Sequence, residues 1–244
     1  MNILVTAGNT LVPIDRVRCL TNVFTGRTGT ALARCAWERG HRVTLLTSHP
    51  EVVEAPQDTR WVTLPYRTFE DLQRCMSEQV RGGALDAVIH CAAVSDYLAG
   101  GVFAPREGTH FHLQTGRWES DHAVGPMLID RAADKIKSEE PELWLRLVRA
   151  PKLVDYIRRE WKFCGLLVKL KLEVGVREEQ LLAIAEASRM HSGADLMVAN
   201  TLEEVDTYAY VGPLKGKYER VLRSELAARL LTVLEQLPRK AHNG

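Results

Sequence analysis

MNILVTAGNTLVPIDRVRCLTNVFTGRTG, residues 1–29, decides the fold. An apolar run over 2–7 ends at Gly8 and reads as a strand. The next helical pattern covers 30–39, where Leu32, Ala33, Ala36 and Trp37 recur at helical spacing. About two to six residues usually make such a strand-to-helix link, whereas this one runs from Gly8 to Gly29 and carries Asp15, Arg16, Arg18 and Asn22. Gly40 closes the helix, and HRVTLLT supplies a second strand over 42–47, parallel to the first because the helix crosses over.

Working outward, TRWVTLP reads as a third strand, 68–80 as a helix, and DAVIHCAA as a fourth strand buried on both faces. LWLRLVR alternates like a half-buried strand. Helices are expected at 153–161, 177–190 and 223–236, and strands at 163–170, 195–200 and near Tyr208. The alternation predicts an α/β fold: a doubly wound, mostly parallel, Rossmann-like sheet with helices on both faces. One domain is expected over 1–236, with a surface excursion at 98–133, where Gly, polar residues and His show no sustained period. A disordered tail is expected at 237–244.

Across the 244 residues, 32 Lys and Arg nearly balance 31 Asp and Glu, so there is no overall field to hold nucleic acid or an anionic membrane. Five scattered cysteines without a CxxC pair argue against a disulfide framework or a zinc site. The N-terminus lacks a basic region followed by a long apolar segment, and no run approaches ~20 apolar residues. A cytoplasmic protein is expected. His110 and His112 have no carboxylate at metal-ligand spacing and read as loop residues, so no metal ligand is assigned.

Ligands of doubly wound sheets bind beyond the carboxyl ends of the strands, which directs attention to 8–22, 92–96, 150–153 and Asn200. Gly26 and Gly29 could let an anion approach helix N–H groups, or could serve only a tight turn with close packing; the spacing alone leaves both open. No acidic residue stands at the end of the second strand, where a dinucleotide fold binds ribose. Cys91 neighbours His90 on a buried strand, but adjacent strand residues point to opposite faces, so Cys91 reads as core. DKIKS places Lys135 and Lys137 so that both ammonium groups of an extended segment project the same way, although by itself such a triplet reads first as a solvated basic loop.

GNTLVPIDRVR with Asn22 and TGRTG, then AAVSDY, DKIKS, RAPKLV, KLKLE and ADLMVAN, resemble in order the motifs of the phosphopantothenate-cysteine ligase family. The resemblance implies ligation of 4'-phosphopantothenate to L-cysteine through an acyl-nucleotide, with CTP or ATP as cosubstrate, Mg2+, and a homodimer. By the same resemblance Asn22 and Lys137 are catalytic. Gly8, Asp96, Lys137, Ala150, Pro151, Lys152, Leu153 and Leu170 bind nucleotide; Arg18, Asn22, Gly26, Ala92 and Ala93 bind substrate. Many bacterial members carry two triphosphate lysines where this chain has Ser188 and Ser192; Arg189 or Lys171 could compensate. A catalytically silent nucleotide- or phosphopantothenate-binding relative is the alternative, and an NAD(P)-dependent reductase a third. No decarboxylase domain is expected before Met1.

Overall fold

The computed structural model describes residues 1–83 and 85–238. In chain order it holds β1 (Asn2–Ala7), β2 (Leu11–Pro13), β3 (Cys19–Thr21), α1 (Arg27–Glu38), β4 (Arg42–Thr47), β5 (Trp61–Pro65), α2 (Phe69–Arg81) and β6 (Ala87–His90). Next come β7 (Tyr97–Pro105), β8 (Thr109–His112), β9 (Arg117–Ser120), β10 (Leu128–Asp130), β11 (Trp144–Arg149) and α3 (Leu153–Arg159). The chain ends with β12 (Leu166–Glu173), α4 (Glu178–Ser192), β13 (Leu196–Thr201), β14 (Tyr208–Leu214), β15 (Lys217–Leu222) and α5 (Leu226–Gln236). Where one domain with an excursion is predicted, the chain divides into two compact units: 1–10, 23–94 and 152 onward form one, and 11–22 with 95–151 the other.

The first unit is an eight-stranded sheet in the order β15-β14-β13-β12-β6-β1-β4-β5. The strands from β13 to β5 are parallel, and β14 and β15 add an antiparallel edge. Alternate residues of each central strand go to opposite faces, and both faces are covered. Ile3, Val5, Val43, Leu45, Ile89 and Val168 join Leu32, Ala33 and Ala36 of α1 and Leu230 and Leu234 of α5 in one cluster. On the other face Met197 and Ala199 pack with Leu181 and Ala185 of α4. Each fully buried Leu of this kind contributes about 1.5–3 kcal/mol. Local signals agree: Thr68 caps α2 in a reciprocal box with Asp71, and Gly193 ends α4 in the left-handed conformation. Chain direction reverses around β1. From β1 it moves outward through β4 and β5, then returns to β6 on β1's other side, so the switch point lies between β1 and β6.

The second unit holds the antiparallel sheet β10-β7-β11 and the hairpins β2-β3 and β8-β9. Thus the long first link is a β-hairpin with flanking loops, and 98–133 carries four strands, β7 to β10, rather than an irregular excursion. The pattern hides them for physical reasons. Gly100 and Gly101 interrupt β7, with Gly100 lying against Val148 and the Phe103 ring folded over Gly101, and β11 is irregular between Leu145 and Leu147. LWLRLVR is a strand, as expected, but it pairs antiparallel with β7 and is no part of the parallel sheet.

Two further differences concern the C-terminal half. The strand expected at 163–170 spans Leu166–Glu173, so KLKLE lies inside it, and Lys217–Leu222 forms an edge strand before a helix that starts at Leu226. Of the tail expected at 237–244, Leu237 donates its N–H to the Leu234 carbonyl (3.4 Å), and residues 239–244 lie outside the described residues. Among the described residues no helix is long and apolar enough to cross a membrane.

Candidate functional site

At the switch point the carboxyl ends of β1 and β6 are tied by backbone groups. The Ala93 N–H donates to the Gly8 carbonyl (2.8 Å), and the Thr10 N–H to the Ala93 carbonyl (3.3 Å). The Thr6 hydroxyl accepts the N–H groups of Cys91 (3.1 Å) and Ala92 (3.0 Å) and lies 3.0 Å from His90 Nδ1. Gly8, Ala92 and Ala93 are therefore brought together on one rim. Gly26 joins them: a Cβ there would stand 2.4 Å from the Gly8 nitrogen, and one on Gly29 would stand 2.7 Å from Ala7 Cβ. Close packing accounts for both glycines. The N-terminus of α1 has no side-chain cap and no acidic residue in its first turn, which leaves the helix dipole uncompensated there.

Beyond β4, Ser48 donates to Asn9 Oδ1 (3.0 Å) and accepts the Asn9 N–H (2.9 Å), while His49 Nε2 lies 3.2 Å from the same Oδ1. Asn9 and Ser48 thus occupy the strand end, and the carboxylate beyond it, Glu51, lies 3.0 Å from His49 Nδ1. Burial, with Lys169 nearby, pushes His90 down to about 4, so its imidazole is neutral. Cys91 is half-buried rather than in the core, and burial of its thiol pushes it up to about 12, which argues against a thiolate nucleophile.

Further along the sheet, Leu170 is half-buried against the core, Leu153 is buried, and Lys152 is the exposed residue that opens α3. Sequence reasoning missed Lys169. Its ammonium donates to the Ser188 hydroxyl (2.8 Å), and burial lowers its pKa, with Lys171 and Lys152 repelling it and Asp155 opposing that trend. The expected compensating cations are engaged elsewhere: Lys171 with Glu173 (2.7 Å) and Arg189 with Glu186 (2.7 Å). Ser192 is buried and donates to the Ser188 carbonyl (3.0 Å). The signal for Lys169 was its i, i+2 spacing from Lys171, legible only once both lie on a strand.

In the second unit, one carboxylate organises the chemistry. Asp15 Oδ1 accepts the N–H groups of Val17 (2.9 Å) and Arg18 (2.7 Å); Oδ2 accepts from Arg18 Nη2 (2.6 Å) and from the Ile136 N–H (3.1 Å). Arg18 Nη2 also donates to the Ile136 carbonyl (2.7 Å). The Arg18 guanidinium, followed by these backbone donors, holds the Asp15 carboxyl well below the usual carboxylate range. The clamp fixes the DKIKS segment to the first hairpin. Ile136 is buried, whereas Lys135 and Lys137 on either side are exposed. Together with Val17, Arg18, Ser138 and Glu139 this segment lines a cavity of about 520 Å³.

The same unit places Asp96 beside Ala150, since the Asp96 carbonyl accepts the Ala150 N–H (2.9 Å) at the end of the β7-β11 ladder. Pro151 follows and is exposed. Asn22 stands one residue past β3, its carbonyl accepting from the Thr21 hydroxyl (3.4 Å).

Residues 1–104 match the family model described as the DNA/pantothenate metabolism flavoprotein C-terminal domain. The coenzyme A biosynthesis bifunctional protein CoaBC of Thermococcus kodakarensis is 30% identical over 240 residues, which cover 96% of this chain and 51% of that protein. The chain thus spans about half the length of the curated relatives it matches. The crystal structure of a DNA/pantothenate metabolism flavoprotein from Streptococcus pneumoniae superimposes with a TM-score of 0.78 at 28% identity, covering 96% of this chain and 98% of that one. The Cab2 mutant H337A in complex with phosphopantothenate-cysteine shares the fold, with a TM-score of 0.65 at 15% identity and coverage of 96% and 86%. Motif order, parallel-sheet topology and these matches agree: over residues 1–104 the chain is similar to the DNA/pantothenate metabolism flavoprotein C-terminal domain, and over most of its length to part of the CoaBC proteins.

Proposed function

We propose that the chain joins 4'-phosphopantothenate to L-cysteine through an acyl-nucleotide intermediate, with CTP or ATP as cosubstrate. The observation that carries this reading is the cavity lined by Arg18, Lys135 and Lys137, three cations on loops held in register by the Asp15 clamp. Asp15 pairs with Arg18 and Glu139 shares the lining, so the excess positive charge, which suits an anionic substrate, comes from Lys135 and Lys137. In the first step a carboxylate oxygen of phosphopantothenate attacks the nucleotide's α-phosphorus, and the bond to the pyrophosphate oxygen breaks. In the second, the cysteine amine attacks the acyl carbon, the nucleoside monophosphate leaves with the C–O bonding pair, and the amine proton passes to solvent. Negative charge grows on the phosphoryl oxygens in the first step, so a fixed cation such as Lys137 stabilises the transition state more than the bound substrates. Asn22 serves the acyl carbonyl as a donor, a contact whose loss in a dry site costs about 1–3 kcal/mol.

Mg2+ demands oxygen ligands in octahedral geometry and is often bound through substrate phosphates. Among the described residues, the group of three or more His, Cys, Asp or Glu donors is imidazole-rich and does not fit it. The nucleotide's phosphates would therefore carry Mg2+, and no step is routed through a protein-held ion. Gly8, Ala92 and Ala93 offer backbone groups and little side-chain bulk for close approach in the parallel-sheet unit. Of the residues the resemblance links to the nucleotide, Asp96, Ala150 and Pro151 belong to the second unit, and Lys152, Leu153 and Leu170 to the first.

A silent binding relative is the second reading, favoured by the buried, backbone-bonded Ser192 where many bacterial members carry a lysine. Pyrophosphate release from CTP or ATP, measured with phosphopantothenate and with or without cysteine, separates the two. Turnover supports the ligase; nucleotide binding without turnover supports the silent relative. The ligase reading includes a homodimer, which light scattering on the purified chain checks.

A further inference from the structure

Hairpin β8-β9 brings together three groups that are separate in sequence. Its register pairs His110 with Glu119, Phe111 with Trp118 and His112 with Arg117. Because side chains alternate along a strand, His110, His112 and Glu119 share one face, and Phe111 and Trp118 the other. The second face is anchored: the Trp144 ring lies 4.7 Å from the rings of both Phe111 and Trp118. On the first face His112 Nε2 is 3.2 Å from a Glu119 oxygen, and one donor atom from each of His110, His112 and Glu119 lies within 4.8 Å of the others. Two ligands of one zinc ion stand no more than about 4.2 Å apart, twice a bond of roughly 2.1 Å. Tetrahedral zinc ligands stand about 3.4 Å apart, so side-chain rotation of about an ångström, on a backbone held by the aromatic cluster, brings the three donors onto one ion. The missing carboxylate of the sequence reading is thus supplied across the hairpin, where linear spacing could not reveal it.

We infer that His110, His112 and Glu119 form a binding site for a divalent transition-metal ion of the zinc and copper class, with water completing the coordination. Two imidazoles and one carboxylate favour Zn2+, Cu2+ or Ni2+ and disfavour Mg2+ and Ca2+, which take all-oxygen ligand sets. The site is therefore chemically distinct from any magnesium brought by a nucleotide, and it shares no residue with the cationic cavity. His110 and Glu119 are exposed and His112 half-buried, so the ion enters from solvent and exchanges. Arg117, opposite His112 on the same face, is the cation that opposes it.

Calorimetric titration of the tag-free, metal-stripped chain with zinc chloride, in buffer containing millimolar Mg2+, tests the site. One ion per chain is expected, with affinity falling at least tenfold in His110→Ala and in His112→Ala, and rising in Arg117→Ala. Cu2+ electron paramagnetic resonance should show two nitrogen ligands in the parent chain and none in the double histidine variant; circular dichroism should show both chains folded. Failure to bind zinc, binding unchanged in the double variant, or displacement of zinc by millimolar Mg2+ would each overturn the assignment.

Discussion

The rim of the parallel sheet and the cavity of the second unit present opposite kinds of surface. At the rim the chemistry is backbone and neutral: Gly8, Ala92, Ala93, the buried Thr6 hydroxyl and an imidazole kept uncharged by burial. In the cavity it is carried by charged side chains on loops, Arg18, Lys135 and Lys137, oriented by a carboxylate shielded from solvent. A rim built from close contacts has no room to adjust, whereas a cationic loop can lose a charge without losing its shape. Substitutions in the first should therefore act through folding, and those in the second through electrostatics.

Gly26→Ala should have the largest effect, because the new methyl meets the Gly8 backbone at a position with φ of 87°. A cost of about 3 kcal/mol or more is expected from strain and overpacking, lowering Tm by roughly 6–12 °C for a chain of this size and weakening every ligand alike. An unchanged melting temperature would remove the contrast between the two regions. Lys137→Gln, at the exposed side of the cavity, should leave Tm within about 1 °C and lower turnover about a hundredfold or more, with nucleotide affinity within a few fold. A fall in substrate affinity alone would make Lys137 a binding group.

Asp15→Asn comes next and sharpens the account of the clamp. A carboxyl whose folded pKa is depressed contributes stability above its unfolded value near pH 4, and that contribution fades as pH falls towards the folded value. The parent chain should thus exceed the variant in stability at pH 7, and the gap should narrow below about pH 4. A gap independent of pH between 7 and 3 would show that the ionised form does not matter. The smallest change is expected for Lys169→Met, which removes the donor to Ser188; nucleotide KM should rise about three- to tenfold, as for one half-buried charge. An equal effect from Lys171→Met, despite its ion pair with Glu173, would spread the role over both lysines.

Much of the first unit was legible because its signals are local. Residues 2–7 are an unbroken apolar run, Leu32, Ala33 and Ala36 repeat at helical spacing, and Thr68 stands three residues before Asp71 at a helix start. These patterns reflect burial of a strand on two faces or a helix on one, which any window of a dozen residues records. The motifs GNTLVPIDRVR and DKIKS were also readable as a family resemblance, although their separation along the chain concealed that the fold joins them.

Tertiary structure alone decided the rest, since it depends on pairing between distant segments. Only the fold ties Asp15 to Ile136, turns the first link into a hairpin, assigns LWLRLVR to an antiparallel sheet, and gives Ser188 a partner in Lys169 rather than in Lys171 or Arg189. Glu119 reaches the histidine face for the same reason. The sequence by itself determined most strands and helices of the parallel-sheet unit, though not its edge strand at 217–222, and the family it resembles. Which charges meet was set by long-range register, because an electrostatic contact forms between atoms a few ångströms apart in space, whatever number of residues separates them in the chain.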